Sequence, residues 1–100
     1  MKRYIINIGK STEQQEENFI KFLNESNVAW WHWLSNFWLV TDPNENFSSS
    51  ILRDKAVELF NKERVIVIEL NDDGDTWSGF GPKTDEKDMF KWVKNNWQDK

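Results

Sequence analysis

The chain has no cysteine in its 100 residues, which excludes disulfides, thiolate metal sites and a cysteine nucleophile. A single histidine excludes a three-histidine metal centre within one chain. Two prolines and four glycines are all that punctuate it, and no apolar run approaches the roughly eighteen residues that cross a bilayer. The first residues, M-K-R-Y-I-I-N-I-G-K, turn polar too soon for a signal peptide, so a cytoplasmic protein without membrane contact is expected. Positive charge is scarce as well. Thirteen Lys and Arg stand against 17 Asp and Glu, a net charge of −4 with a pI near 5.0. Surfaces tuned to phosphate backbones have the opposite balance, so nucleic acid is not the expected partner. Lys83, Lys87, Lys91 and Lys94 read as a solvated helix face.

What the chain has in quantity is aromatic side chains. Seven Trp and seven Phe sit in a polar chain of mean hydropathy −0.79. Four of those tryptophans fall between Val28 and Thr41, V-A-W-W-H-W-L-S-N-F-W-L-V-T. Two apolar runs meeting at Ser35-Asn36 read as a β-hairpin, because a two-residue break is the commonest hairpin connection. That turn predicts Leu34 opposite Phe37, Trp33 opposite Trp38, His32 opposite Leu39 and Trp31 opposite Val40. One face then carries Trp31, Trp33, Trp38 and Val40; the other carries Trp30, His32, Leu34, Phe37 and Leu39. Both are apolar, whereas a sheet with one wet face alternates apolar with polar. Something must therefore cover the second face.

The flanks supply the remaining elements. Tyr4 to Ile8 alternates as a strand, with Tyr4, Ile6 and Ile8 on one side. Ser11 or Thr12, followed by Gln14 or Gln15, can form a capping box. It opens a helix whose buried stripe is Phe19, Ile20, Phe22 and Leu23. Asp42-Pro43 stops the hairpin, Ser48 to Ser50 cap a second helix, and V-I-V-I-E-L at Val65 to Leu70 reads as a strand apolar on both sides. The order βαββαβ predicts an α+β, ferredoxin-like antiparallel sheet in a single domain, 1–100. Its core covers about residues 3–70, and a C-terminal extension, about 71–100, carries a helix from about residue 85 to 98 with Met89, Phe90, Trp92, Val93 and Trp97 as its apolar face.

The chemical motifs are weaker. Gly9-Lys10-Ser11-Thr12 follows a strand and opens a helix, as a phosphate loop does, but the first glycine that loop requires is here Tyr4. What survives is a bare anion at the helix N-terminus, aided by Lys10. Asn71-Asp72-Asp73-Gly74-Asp75 resembles a calcium loop, yet Pro82 occupies the place of its bidentate glutamate. His32 lacks an evident nucleophile or carboxylate beside it, with Asp42 and Glu69 the candidates to approach on folding. No catalytic residue, metal site or cofactor is expected from these patterns.

Y-I-I-N-I at Tyr4 to Ile8, W-W-H-W-L-S-N-F-W-L-V at Trp30 to Val40, S-I-L-R-D at Ser50 to Asp54, the strand Val65 to Leu70 and W-S-G-F at Trp77 to Phe80 follow one another in an order that resembles a group of small ferredoxin-like bacterial proteins. These are related to the CRISPR adaptation endoribonuclease-like subunit and to virulence-associated protein D. The resemblance implies the fold and a homodimer. It also implies, for nuclease-like members, an aspartate at the end of the first strand that holds a divalent metal; here that place is Gly9, with Asn7 two residues before it.

The expected function is a non-catalytic homodimeric interaction module. Trp30, His32, Leu34, Phe37, Leu39, Trp77 and Trp97 are the expected contact residues, since buried interfacial tryptophans dominate contact energies. The alternatives are a metal-dependent endonuclease of RNA or DNA with the same fold, and a mobile-element protein that binds a host defence component or a nucleotide signal.

Overall fold

The computed structural model describes residues 1–70 and 91–98. Six elements follow the expected order: β1 (Lys2–Ile8), α1 (Glu13–Glu25), β2 (Ala29–Leu34), β3 (Phe37–Asp42), α2 (Ser49–Leu59) and β4 (Val65–Leu70). Their ends have local causes. Thr12 caps α1 through its hydroxyl, which accepts from the Gln15 N–H, while the Gln15 side chain accepts from the Thr12 N–H. This is the reciprocal box that the sequence predicts, and Glu13 and Glu16 in the first turn favour the positive end of the helix dipole. Ser48 caps α2 the same way by accepting from Ile51. Asn61 and Lys62 end α2 with φ of 57° and 61°, and the Lys62 N–H returns to the Val57 carbonyl at 2.8 Å, a Schellman closure that satisfies a terminal carbonyl.

The strands form one antiparallel sheet in the order β2-β3-β1-β4, which is the ferredoxin-like arrangement. Both helices pack on one face. The core there joins Tyr4, Ile6 and Ile8 to Trp38 and Val40, to Phe19 and Leu23 of α1, and to Leu52, Ala56 and Phe60 of or beside α2. Phe19 sits at its centre, edge-on to Trp38 at 5.0 Å and to Phe60 at 5.3 Å, the arrangement in which a positive ring edge meets a negative ring face. The Tyr4 hydroxyl donates to the Phe47 carbonyl at 2.9 Å. Burial pushes that phenol up to about 12, with the carboxylates of Glu69, Asp42 and Glu45 adding to the effect.

Across the sheet, a π-helical segment, Val93–Gln98, lies against the opposite face. Trp31, Val93 and Trp97 are buried together, with Ile5, Phe37, Leu39, Leu70 and Trp92 packed around them. Arg3 reaches from β1 to this segment, donating to the Trp97 carbonyl at 3.2 Å with its guanidinium 5.5 Å from the centre of the Trp97 ring. The sheet is therefore covered within one chain on both faces over part of its area. The expected acidic loop at 71–75, the W-S-G-F stretch with Trp77, and the start of the C-terminal helix lie outside the described residues.

Candidate functional site

The aromatic ribbon is built as a hairpin on the expected turn, but its register differs from the simple one. Leu34 faces Phe37 as predicted, while Trp31 faces Leu39, Trp30 faces Val40 and Ala29 faces Thr41. One extra residue is accommodated in β2 between Trp31 and Leu34, a β-bulge. The bulge redistributes the side chains. Trp30 and His32 join Trp38 and Val40 on the helix-covered face, and Trp31 joins Phe37 and Leu39 on the open one. Trp33, expected on one face with Trp31, Trp38 and Val40, is 43% exposed.

His32 occupies a defined place on the helix-covered face. Its ring lies flat on the Trp38 indole, 3.6 Å between centroids and 1° from parallel. Nδ1 is 3.0 Å from the Phe37 carbonyl oxygen and Nε2 is 3.2 Å from a Glu16 carboxylate oxygen. Both partners are acceptors, so both contacts are hydrogen bonds only when each ring nitrogen carries a proton. The carboxylate beside His32 is thus Glu16 of α1, and the approach expected of Asp42 or Glu69 is not what the fold provides. The Ser11 hydroxyl donates to the other Glu16 oxygen at 2.6 Å. That bond, followed by the interaction with His32, holds the Glu16 carboxyl below its ordinary range, while burial acts in the opposite direction.

Serine, glutamate and histidine are therefore in contact, but in the wrong order for nucleophilic catalysis, where the imidazole must stand between hydroxyl and carboxylate. Here the hydroxyl proton points at the carboxylate. What the chain of bonds does is fasten the bulged edge strand to α1, as does Trp30, whose indole N–H donates to Asn24 at 2.8 Å. Because the folded-state pKa of Glu16 is depressed, its ionised form contributes stability at neutral pH that is lost as pH falls through the folded value. Glu16→Gln should lower stability at neutral pH by ~1 kcal/mol and flatten the acid limb of a stability-against-pH curve. Urea unfolding at a series of pH values measures both; curves that stay parallel would refute the linkage.

The open face is organised as rows across four strands. Arg3 is flanked by Leu70 and Thr41, and Ile5 by Ile68 and Leu39; these rows lie beneath or beside the C-terminal segment. The next row runs Ile66, Asn7, Phe37, Leu34. It is far less covered: Ile66 is 54% and Leu34 50% exposed, Asn7 is exposed, and Ile68 in the neighbouring row is 44% exposed.

Of the expected contact residues, the fold brings Leu34, Phe37, Leu39 and Trp97 to this face. Trp30 and His32 are on the other side, and Trp77 lies outside the described residues. The residues that complete the face, Ile66 and Ile68, belong to the strand expected to be apolar on both sides, and a run of β-branched residues looks the same in an edge strand as in a central one. Glu16 could not be singled out by pattern either, since it reaches His32 only through packing of α1 on β2.

No family model matches this chain, and neither the curated proteins nor the solved structures give a match. No helix among the described residues is long and apolar enough to cross a membrane.

Proposed function

We propose that the protein is a non-catalytic interaction module that pairs with a second copy of itself through the exposed part of the open sheet face. The observation that carries this is the row Ile66, Asn7, Phe37, Leu34, with Ile68 beside it, apolar but for one amide and open to water at both ends. Contiguous apolar surface of this kind marks contact sites. A second copy fits for two reasons. Two sheet faces can stack about 10 Å apart with interdigitating side chains, and a two-fold axis sets the same row against itself. Asn7 then suits the centre, because an amide offers donor and acceptor at once and two of them satisfy each other.

Sedimentation equilibrium should find a dimer for the intact chain and a monomer for Ile66→Asp and for Leu34→Asp, with circular dichroism unchanged. A chain that stays monomeric at high concentration would sink the proposal.

The metal-dependent nuclease reading has one observation on its side. A carboxylate does stand at the end of β1: a Cβ added to Gly9 would meet Glu63 Oε2. That carboxylate accepts from the Arg64 N–H at 3.1 Å and shares its recess with Lys10, Lys62 and Arg64, charges that disfavour a divalent cation. Incubation with RNA and DNA, with and without magnesium or manganese, distinguishes the readings; cleavage abolished by EDTA would favour the nuclease.

A further inference from the structure

The recess at the end of β1 is locally basic in an acidic chain. It is an open hollow of about 510 Å³ bounded by Gly9, Lys10, Lys62, Glu63 and Arg64. Two backbone features bring these residues together. The Gly9 N–H donates to the Arg64 carbonyl at 2.8 Å, which ties the exit of β1 to the entry of β4. The Schellman closure of α2 turns the chain so that Lys62 follows Asn61 in the left-handed region, which a lysine adopts only when its surroundings enforce it. Lys10, Lys62 and Arg64 have no carboxylate partner among the described residues within ion-pair distance. The carboxylate in their midst, Glu63, accepts from the Arg64 backbone N–H. Three cations against one carboxylate leave two positive charges in excess, in a chain whose total is −4.

A second hollow of about 340 Å³ shares Lys10 and Glu63 and continues along Ser11, Thr12, Gln15 and Asn61. Hydroxyl and amide groups therefore line the space next to the cations. The N-terminus of α1 contributes little to anion binding there, because its capping box already engages Thr12 and Gln15.

We propose that this pair of hollows binds a small phosphate monoester, its phosphate held by Lys10, Lys62 and Arg64 and its polar organic part lying along Ser11 and Asn61. A phosphate monoester carries a charge close to −2 and three acceptor oxygens, which matches the local excess and the donors available. A carboxylate would neutralise only half of it. A nucleic-acid backbone would have to approach an otherwise acidic surface, so the small ligand is favoured. The assignment is independent of pairing through the open face.

The test is an amide NMR titration of the full chain with inorganic phosphate and with methyl phosphate, against sodium chloride at equal ionic strength. Saturable shifts at Gly9, Lys10 and Lys62 to Arg64 are expected with both phosphates and not with chloride. Lys62→Ala combined with Arg64→Ala should weaken binding roughly tenfold or more. Glu63→Gln keeps an acceptor for the Arg64 N–H while removing the opposing charge, and should tighten binding severalfold, an effect that loss of structure does not produce. Shifts that rise without saturating, that are reproduced by chloride, or that survive in the double variant would overturn the site. Tighter binding of a single-stranded oligonucleotide than of methyl phosphate would overturn its assignment to a small ligand.

Discussion

Trp38→Ala is expected to cost about 3–5 kcal/mol, a large share of the roughly 5–15 kcal/mol that holds a domain of this size together. Trp38 is 1% exposed and is the meeting point of three rings: Phe19 edge-on, Trp30 tilted at 6.0 Å, and His32 stacked flat. Alanine would leave a void that the rings collapse into poorly, because Phe19 is also held against Phe60 and His32 sits between the Phe37 carbonyl and the Glu16 carboxylate. The same substitution at Trp33, five positions earlier in the ribbon and substantially exposed, should change stability by no more than about 0.5 kcal/mol. Chemical unfolding of the two variants side by side measures the difference. Equal losses would mean that the ribbon is paired without its bulge, with Trp33 and Trp38 facing each other on one side of the sheet.

Trp97→Ala should have the second largest effect, about 2–4 kcal/mol, and a different signature. Trp97 is 5% exposed and, with Trp31 and Val93, closes the open face over Ile5 and Leu39. Arg3 also anchors the short segment that carries it, gripping both its ring and its carbonyl. Truncating Trp97 should therefore release the segment and bare the rows below it, so that a dye sensitive to apolar surface fluoresces with the variant at concentrations of denaturant too low to unfold the rest. Stability and dye response both unchanged would show that the segment does not cover the sheet.

Much of this architecture was legible in the residues, and the reasons are local. The capping box at Thr12 and Gln15, the caps at Ser48, the turn at Ser35-Asn36 and the alternation of Tyr4, Ile6 and Ile8 are each decided within a few residues, and each stands where the pattern placed it. The register of the ribbon was not legible. Pairing is strongly specified where one face must be apolar and the other polar, because a slip by one residue then buries polar groups. In A-W-W-H-W-L against F-W-L-V-T-D nearly every position is apolar on both faces, so an inserted residue carries no such penalty and leaves no mark in the pattern. The candidate contact face suffered accordingly: Leu34, Phe37 and Leu39 were placed together correctly, whereas Trp30 and His32 moved to the other side. The cations around Gly9 were hidden for another reason. Lys10 is separated from Lys62 and Arg64 by about half of the chain, and the β1 to β4 pairing makes them neighbours.

The position of β4 at the rim of the sheet has a consequence for the chain when it is not folded. Among the described residues, Val65–Leu70 has one strand neighbour, β1, and its outer backbone edge faces no other strand. Six residues of high β-propensity, without proline or glycine and with Glu69 as the only charge, match the composition of segments that stack into cross-β fibrils. While β1 and α2 hold the strand, its twist and short length keep that tendency in check. Conditions that free it, such as heating or loss of β1, would bare a segment of that composition, in which Glu69 is the internal charge that opposes stacking and Glu63, Arg64, Asp72 and Asp73 flank it.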